Sequence, residues 1–153
     1  MQLVYQLDGP GWASVRISDG TSSLDMEASY LSDALGDMAM SALQLLRGVR
    51  EASFSFQDEP GEHRWTLSRG EADLLHVRIF WSKHNFNERF PGRATKVFAC
   101  DCAVLDFVGQ VSYVLQTLLI DEGLEGYRRR WRNHDFPLGT FTEIQRLLTP
   151  RAN

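Results

Sequence analysis

Residues 74–81 read Leu-Leu-His-Val-Arg-Ile-Phe-Trp, and the period of that stretch decides the fold class. Leu75, Val77, Ile79 and Trp81 alternate with Leu74, His76, Arg78 and Phe80. Successive side chains of a strand leave opposite faces, so such a segment is a strand with one dry and one wet side. Ala52, Phe54 and Phe56 alternate with Glu51, Ser53, Ser55 and Gln57 in the same way. Two further segments, 62–69 and 95–102, complete the group. The links Asp58-Glu59-Pro60-Gly61 and Arg69-Gly70-Glu71 are short and turn-forming, and links of that length join antiparallel neighbours in a meander.

Working outward toward the N-terminus, Leu3, Tyr5 and Leu7 alternate with Val4 and Gln6 before Asp8-Gly9-Pro10-Gly11 turns the chain into Ala13, Val15 and Ile17. After Asp19-Gly20-Thr21-Ser22, Leu24, Met26 and Ala28 share one side of a third strand. From Leu31 on, Leu35, Met38, Ala39, Ala42, Leu43, Leu46 and Val49 recur at helical spacing, which predicts a helix over 31–47 capped by Ser29 or Ser32 and ended by Gly48. On the C-terminal side, Val104, Phe107, Val108, Val111, Val114, Leu115 and Leu118 form a broad apolar stripe, which predicts a second helix over 103–122 ended by Gly123. A short basic turn or helix around Trp131 and a last helix over 141–148, with Thr140 and Glu143 as a capping box, finish the chain.

The expected architecture is therefore one α+β domain over 1–153. It is a single antiparallel sheet of six or seven strands in meander order, with two long helices on its one apolar face and short C-terminal helices. Strands, helix, strands, helix suggests two similar halves, but no repeated residues support a duplication.

Composition narrows the function classes. With 153 residues, 43% hydrophobic and 24% charged, the chain can bury a real core. A net charge of −4 argues against a dedicated nucleic-acid binder, whose affinity is mostly phosphate neutralisation. The charge is uneven: residues 1–62 hold ten acidic and three basic side chains, residues 63–153 ten and thirteen. No apolar run of membrane-spanning character and no leader pattern is evident, which places the protein in the cytoplasm as an expectation.

Common catalytic signatures are missing from the sequence: no glycine-rich phosphate loop, Gly-x-Ser-x-Gly elbow, His-Glu-x-x-His helix or Cys-x-x-Cys pair. Cys100 and Cys102 lie two apart on one strand, on the dry side with Phe98, whereas His76 alternates onto the wet side. They read as small buried hydrophobes, and neither a metal nor another cofactor is expected. An acid–base site is conceivable around His76, His84 and Asp101, with Arg78 and Asp106 near. Asp101 at a helix entrance also suits a cap.

Two surfaces stand out. The wet sheet face should carry Arg16, Asp25, Glu27, Arg64, Thr66, His76, Arg78 and Phe80, with Val97 and Ala99 at a margin. The connection 82–95 is longer than the two to five residues of most hairpins and contains Lys83, His84, Phe86, Arg89, Phe90 and Arg93. Arginine and aromatic residues are what interface hot spots are made of, so Arg78, Phe80, Phe86, Phe90 and Arg93 are the candidate partner-binding set. The run Arg128-Arg129-Arg130-Trp131-Arg132 is a second candidate, for phosphate or an acidic partner, or for the acidic first half of the chain itself.

With the strand–helix–strand–helix order, Gly123-Leu124-Glu125-Gly126-Tyr127 running into Trp131, and Phe136-Pro137-Leu138 before a last helix, the chain resembles small uncharacterised bacterial α+β proteins. Some of these are similar to immunity proteins of polymorphic toxin systems. The resemblance implies a cytosolic protein that binds another protein, and it carries no functional residue over. The functional expectation is a non-enzymatic protein-binding module whose partner is another protein, not nucleic acid or membrane, with homodimerisation left open. The alternative is a small enzyme using His76, His84 and Asp101.

Overall fold

The computed structural model of the protein describes residues 1–83 and 93–150. The chain is α+β with antiparallel strands throughout, in two sheets rather than one. β1 (Gln2–Leu7), β2 (Trp12–Ser18) and β3 (Ser23–Ser29) form a three-stranded meander. After α1 (Ala34–Leu46), β4 (Glu51–Gln57), β5 (Glu62–Arg69), β6 (Leu74–Ser82) and β7 (Thr95–Ala103) form a four-stranded one. α2 (Val104–Trp131) and α3 (Leu138–Leu148) follow.

The expected single sheet fails at one junction. From β1 to β3 and from β4 to β6, tight turns deliver the chain straight into the neighbouring antiparallel register, and β7 pairs antiparallel with β6 after the longer connection. Between β3 and β4 the chain instead runs through a 13-residue helix, which carries it back about one strand length before β4 begins. β3 comes close to β4 and β7 without forming a ladder with either. The two dry faces still share one core: Tyr5 of β1 meets Phe56 of β4 edge to face at 6.2 Å, and Phe56 in turn meets Trp65 at 5.7 Å.

The alternation read from the sequence holds for Leu75, Val77 and Ile79, all buried, and breaks at Trp81, which is half-buried while Ser82 beside it is buried. The cause is a β-bulge. Ile79 pairs with Phe98 but Phe80 pairs with Lys96, so Val97 is left over and the strand rotates there.

All three helices differ at their ends from expectation. The cap of α1 is Asp33, whose Oδ1 accepts from the Gly36 N–H at 3.1 Å. Neither Ser29 nor Ser32 caps it, and Ser29 is buried at the end of β3. α2 does break at Gly123 (φ 68°, ψ 173°), but helix resumes to Trp131. It resumes because that turn has core to bury: Tyr127 and Trp131 are fully buried. α3 starts at Leu138 without a side-chain cap. Glu143, expected in a capping box with Thr140, instead bonds Arg146 of its own helix and Arg47 beyond α1. Those two guanidiniums hold its carboxyl down at about 2.

Candidate interaction surface

The wet side of the four-stranded sheet is set by register. Reading across β5, β6 and β7, one row is Ser68, His76, Asp101; the next is Thr66, Arg78, Ala99; the next is Arg64, Phe80, Lys96. Thus alternation alone brings His76, Arg78 and Asp101 together. His76 Nδ1 lies 2.9 Å from Asp101 Oδ1, and Arg78 Nη1 donates to the same oxygen at 2.9 Å. Arg78 also donates to the Cys100 carbonyl at 2.9 Å, which ties β6 to β7. Hydrogen bonds first from His76 and then from Arg78 favour the charged form of Asp101 and lower its pKa. Asp101 is therefore a strand residue held by its neighbours. The N-cap of α2 is Ala103, and Asp101 does not cap that helix.

A tight turn positions the imidazole. Ala72 and Asp73 adopt left-handed backbone (φ 52° and 57°) between β5 and β6. The turn places Gly70 under the ring, where a Cβ would fall 2.8 Å from His76 Nε2. Gly70→Ala is expected to push the ring off Asp101 and let the Asp101 carboxyl titrate closer to its ordinary value, as followed by carbon NMR. The sign for stability follows by linkage. A depressed carboxyl pKa contributes stability above its unfolded value that is lost as pH falls through the folded one, so the variant should lose part of that acid-sensitive contribution. An unchanged Asp101 titration would show that His76 does not hold it.

Chemically, the row Ser68, His76, Asp101 has the residue types of a hydrolytic triad, but not its bonding. Ser68 makes no hydrogen bond to His76 among the described residues, and Arg78 already compensates the carboxylate that would have to support an imidazolium. The pair lies on open sheet surface, with the His76 side chain 35% and that of Asp101 44% exposed. His84, the third member of the acid–base alternative, lies outside the described residues. Among the described residues no group of three His, Cys, Asp or Glu side chains could hold a metal ion.

Of the candidate partner-binding set, Arg78 is engaged with Asp101 and the β7 backbone, Phe80 is half-buried at the bulge, and Arg93 is exposed. Phe86 and Phe90 lie outside the described residues. Around Phe80 the margin is positive. Lys83, Arg93 and Lys96 are exposed and none has a carboxylate partner among the described residues, whereas Arg16, Arg47, Arg69, Arg78, Arg128, Arg130 and Arg146 are all ion-paired. Beside this margin, Val97 is an exposed apolar group, while exposed Leu74 lies at the far end of β6 opposite Ala103. A shallow concavity of about 710 Å³ continues the face over β4 and β5, lined by Ser53, Arg64, Thr66 and Ser68.

The arginine-rich run is not a free patch. Trp131 is buried, Arg128 pairs with Asp135 at 3.3 Å, Arg130 binds Glu122 and the Leu7 carbonyl, and Arg132 lies 5.9 Å over the Tyr30 ring. Its carboxylate partners thus come from its own half of the chain, while its links to the first half run to the backbone of Leu7, Gly11 and Ser32 and to the Tyr30 ring.

Cys100 and Cys102 are free and buried. Burial raises both thiols, that of Cys102 to about 11. Reactivity follows the thiolate, so a disulfide reagent at neutral pH is expected to label neither in the native protein and both after denaturation. Fast labelling of the native state would contradict this.

No family model, no curated protein and no solved structure matches the chain.

Proposed function

We propose that this chain is a non-enzymatic protein-binding module of immunity or adaptor kind, working in the cytoplasm, which presents the wet face of β4–β7 to an acidic surface of another protein. The observation that carries the reading is the margin of exposed Lys83, Arg93 and Lys96, without a carboxylate partner among the described residues, around Phe80 and Val97. Exposed cations beside exposed apolar groups suit a complementary, partly desolvated contact. Arg78, Phe80 and Arg93 are the described members of the proposed set, whose other members, Phe86 and Phe90, lie outside the described residues.

The test is comparative capture from the native cell with the wild-type chain and with Lys96→Glu. A partner held by the first and lost by the second, with both proteins equally folded, supports the reading. A set of captured proteins indifferent to Lys96→Glu overturns it. The catalytic alternative rests on the His76–Asp101 contact at 2.9 Å, and any turnover abolished by Asp101→Asn in a still-folded protein would favour it.

A further inference from the structure

The wet side of β1–β3 and the tip of the β4–β5 hairpin border a concavity of about 560 Å³, within the size range of small-molecule sites. It forms because β3 runs close to β4. That approach brings Asp58 of the hairpin turn and His63 of β5 beside a face that carries Val4, Arg16, Asp25 and Glu27.

His63 is the first sign of a ligand. It lines the concavity and is only 7% exposed, yet its Nδ1 has no hydrogen-bond partner. Leaving a buried polar atom unpaired is costly, so a group that supplies the missing bond binds with advantage. Burial lowers the pKa of the ring, with Asp58 acting in the opposite sense. The imidazole is therefore uncharged at neutral pH and keeps one nitrogen as an acceptor.

The charge around it is the second. Three carboxylates (Asp25, Glu27, Asp58) and one guanidinium (Arg16) line the concavity, a net of −2 with His63 neutral. Arg16 lies 3.4 Å from Asp25 in an exposed pair, whereas Glu27 and Asp58 have no cation partner among the described residues. Residues 1–62 hold ten acidic and three basic side chains, and the carboxylates that the arginine-rich run engages lie in its own half of the chain. The acidity of this face is therefore not neutralised from there.

Spacing sets the kind of cation. Asp25 and Glu27 stand two residues apart on one side of β3, about 7 Å along the strand. Val4, Arg16 and Asp25 form one cross-strand row, in which Val4 offers exposed apolar surface. Among the described residues no three His, Cys, Asp or Glu side chains converge as a single metal ion needs. Carboxylates spread around an apolar residue instead fit several ammonium groups joined by short methylene chains.

We infer that this concavity binds a small aliphatic polyamine, a chain with two or more ammonium groups. Glu27 and Asp58 pair with the ammonium groups, Val4 lies against the methylenes, and the His63 ring accepts from a ligand N–H. The inference is independent of the proposed function, since it uses a different face and a ligand of opposite charge from an acidic partner.

Isothermal titration of the full chain with spermidine at neutral pH is expected to show one saturable site, weakened as sodium chloride is raised. Glu27→Gln and Asp58→Asn should each weaken binding about tenfold, the scale of one charge-assisted hydrogen bond. Butylamine, with a single ammonium group, should bind more weakly by about the same factor. His63→Phe should also weaken binding while leaving the melting temperature no lower, because the unpaired nitrogen contributes nothing to the fold. In the wild type, spermidine should shift the ring-nitrogen resonances of His63 and leave those of His76 unmoved. Glu71→Gln, at an exposed carboxylate on the β5–β6 connection, should change nothing. Four results would overturn the inference: no saturable binding up to ~10 mM spermidine, binding indifferent to Glu27→Gln and Asp58→Asn, an equal loss with Glu71→Gln, or equal affinity for butylamine. A lysine-rich peptide that binds these carboxylates about tenfold more tightly than spermidine would also overturn it, by assigning the site to a partner's side chains.

Discussion

Trp131→Ala is expected to lower the stability of this protein by about 3–5 kcal/mol, the range for deleting a fully buried tryptophan. Trp131 has no exposed surface, stacks on Tyr127 at 6.3 Å and donates through Nε1 to the Ser32 carbonyl at 3.2 Å. Tyr127 meets Phe136 at 5.7 Å, and Phe136 meets Phe141 at 6.1 Å. The ring series therefore joins the end of α2 to α3 on one side and to the β3–α1 connection on the other. Removing the indole leaves a cavity in that series and strips the Ser32 carbonyl of a donor, and each effect is destabilising. Against a typical total of about 5–15 kcal/mol, most of the reserve would be gone. Urea unfolding should show the midpoint falling sharply for Trp131→Ala. Arg129→Ala, an exposed position in the same run, should stay within about 0.5 kcal/mol of wild type. If Trp131→Ala kept its midpoint, the aromatic series would not be holding the C-terminal helices.

Phe80→Ala is expected to weaken partner binding by ~2 kcal/mol or more, the scale of a hot spot, or about thirtyfold in Kd. Phe80 sits at the β-bulge, half-buried, with Arg64 and Lys96 as cross-strand neighbours. It is flanked by exposed Val97 and by cations without carboxylate partners among the described residues. Because it lies on the wet side of the sheet, its truncation should move the thermal midpoint far less than loss of Trp131. Arg78→Ala is a poorer probe, since Arg78 also bonds Asp101 and the Cys100 carbonyl and its loss disturbs the sheet itself. Isothermal titration of wild type and Phe80→Ala with the captured partner measures the difference. Full binding combined with a lowered melting temperature would make Phe80 a structural pin and send the search for the interface to another face.

The sequence was most informative where one physical rule acted alone. Period-two alternation predicted β4, β5, β6 and β7 within a residue at each end, because a half-buried strand imposes that period whatever surrounds it. The same alternation put His76, Arg78 and Asp101 on one face, so the polar cluster was legible from single residues, although its 2.9 Å contacts were not. Cys100 and Cys102 were likewise readable as core. The errors lie where two rules compete. A glycine at 123 and a run of arginines suggested a helix end and a solvated tail, yet burial of Tyr127 and Trp131 outweighed the local break and extended the helix. Serine and aspartate both cap helices, and only the path of the chain into α1 selected Asp33.

What the sequence by itself determined is the α+β class, the antiparallel strands and most of the core residues on strands and helices up to Gly123, because these follow from local periodicity and the cost of burying polar groups. What only the tertiary structure decided is how those pieces meet. The division into two sheets depends on where α1 lets β4 begin. The bulge that leaves Val97 unpaired and sets Lys96 opposite Phe80 depends on the pairing of β6 with β7, and which cations have carboxylate partners among the described residues depends on distances between distant segments. The exposure of Leu105, Tyr113 and Ile120 on α2 was invisible in the sequence for the same reason. Periodicity identifies an apolar residue on a helix, but only packing shows which of those residues the rest of the chain has left uncovered.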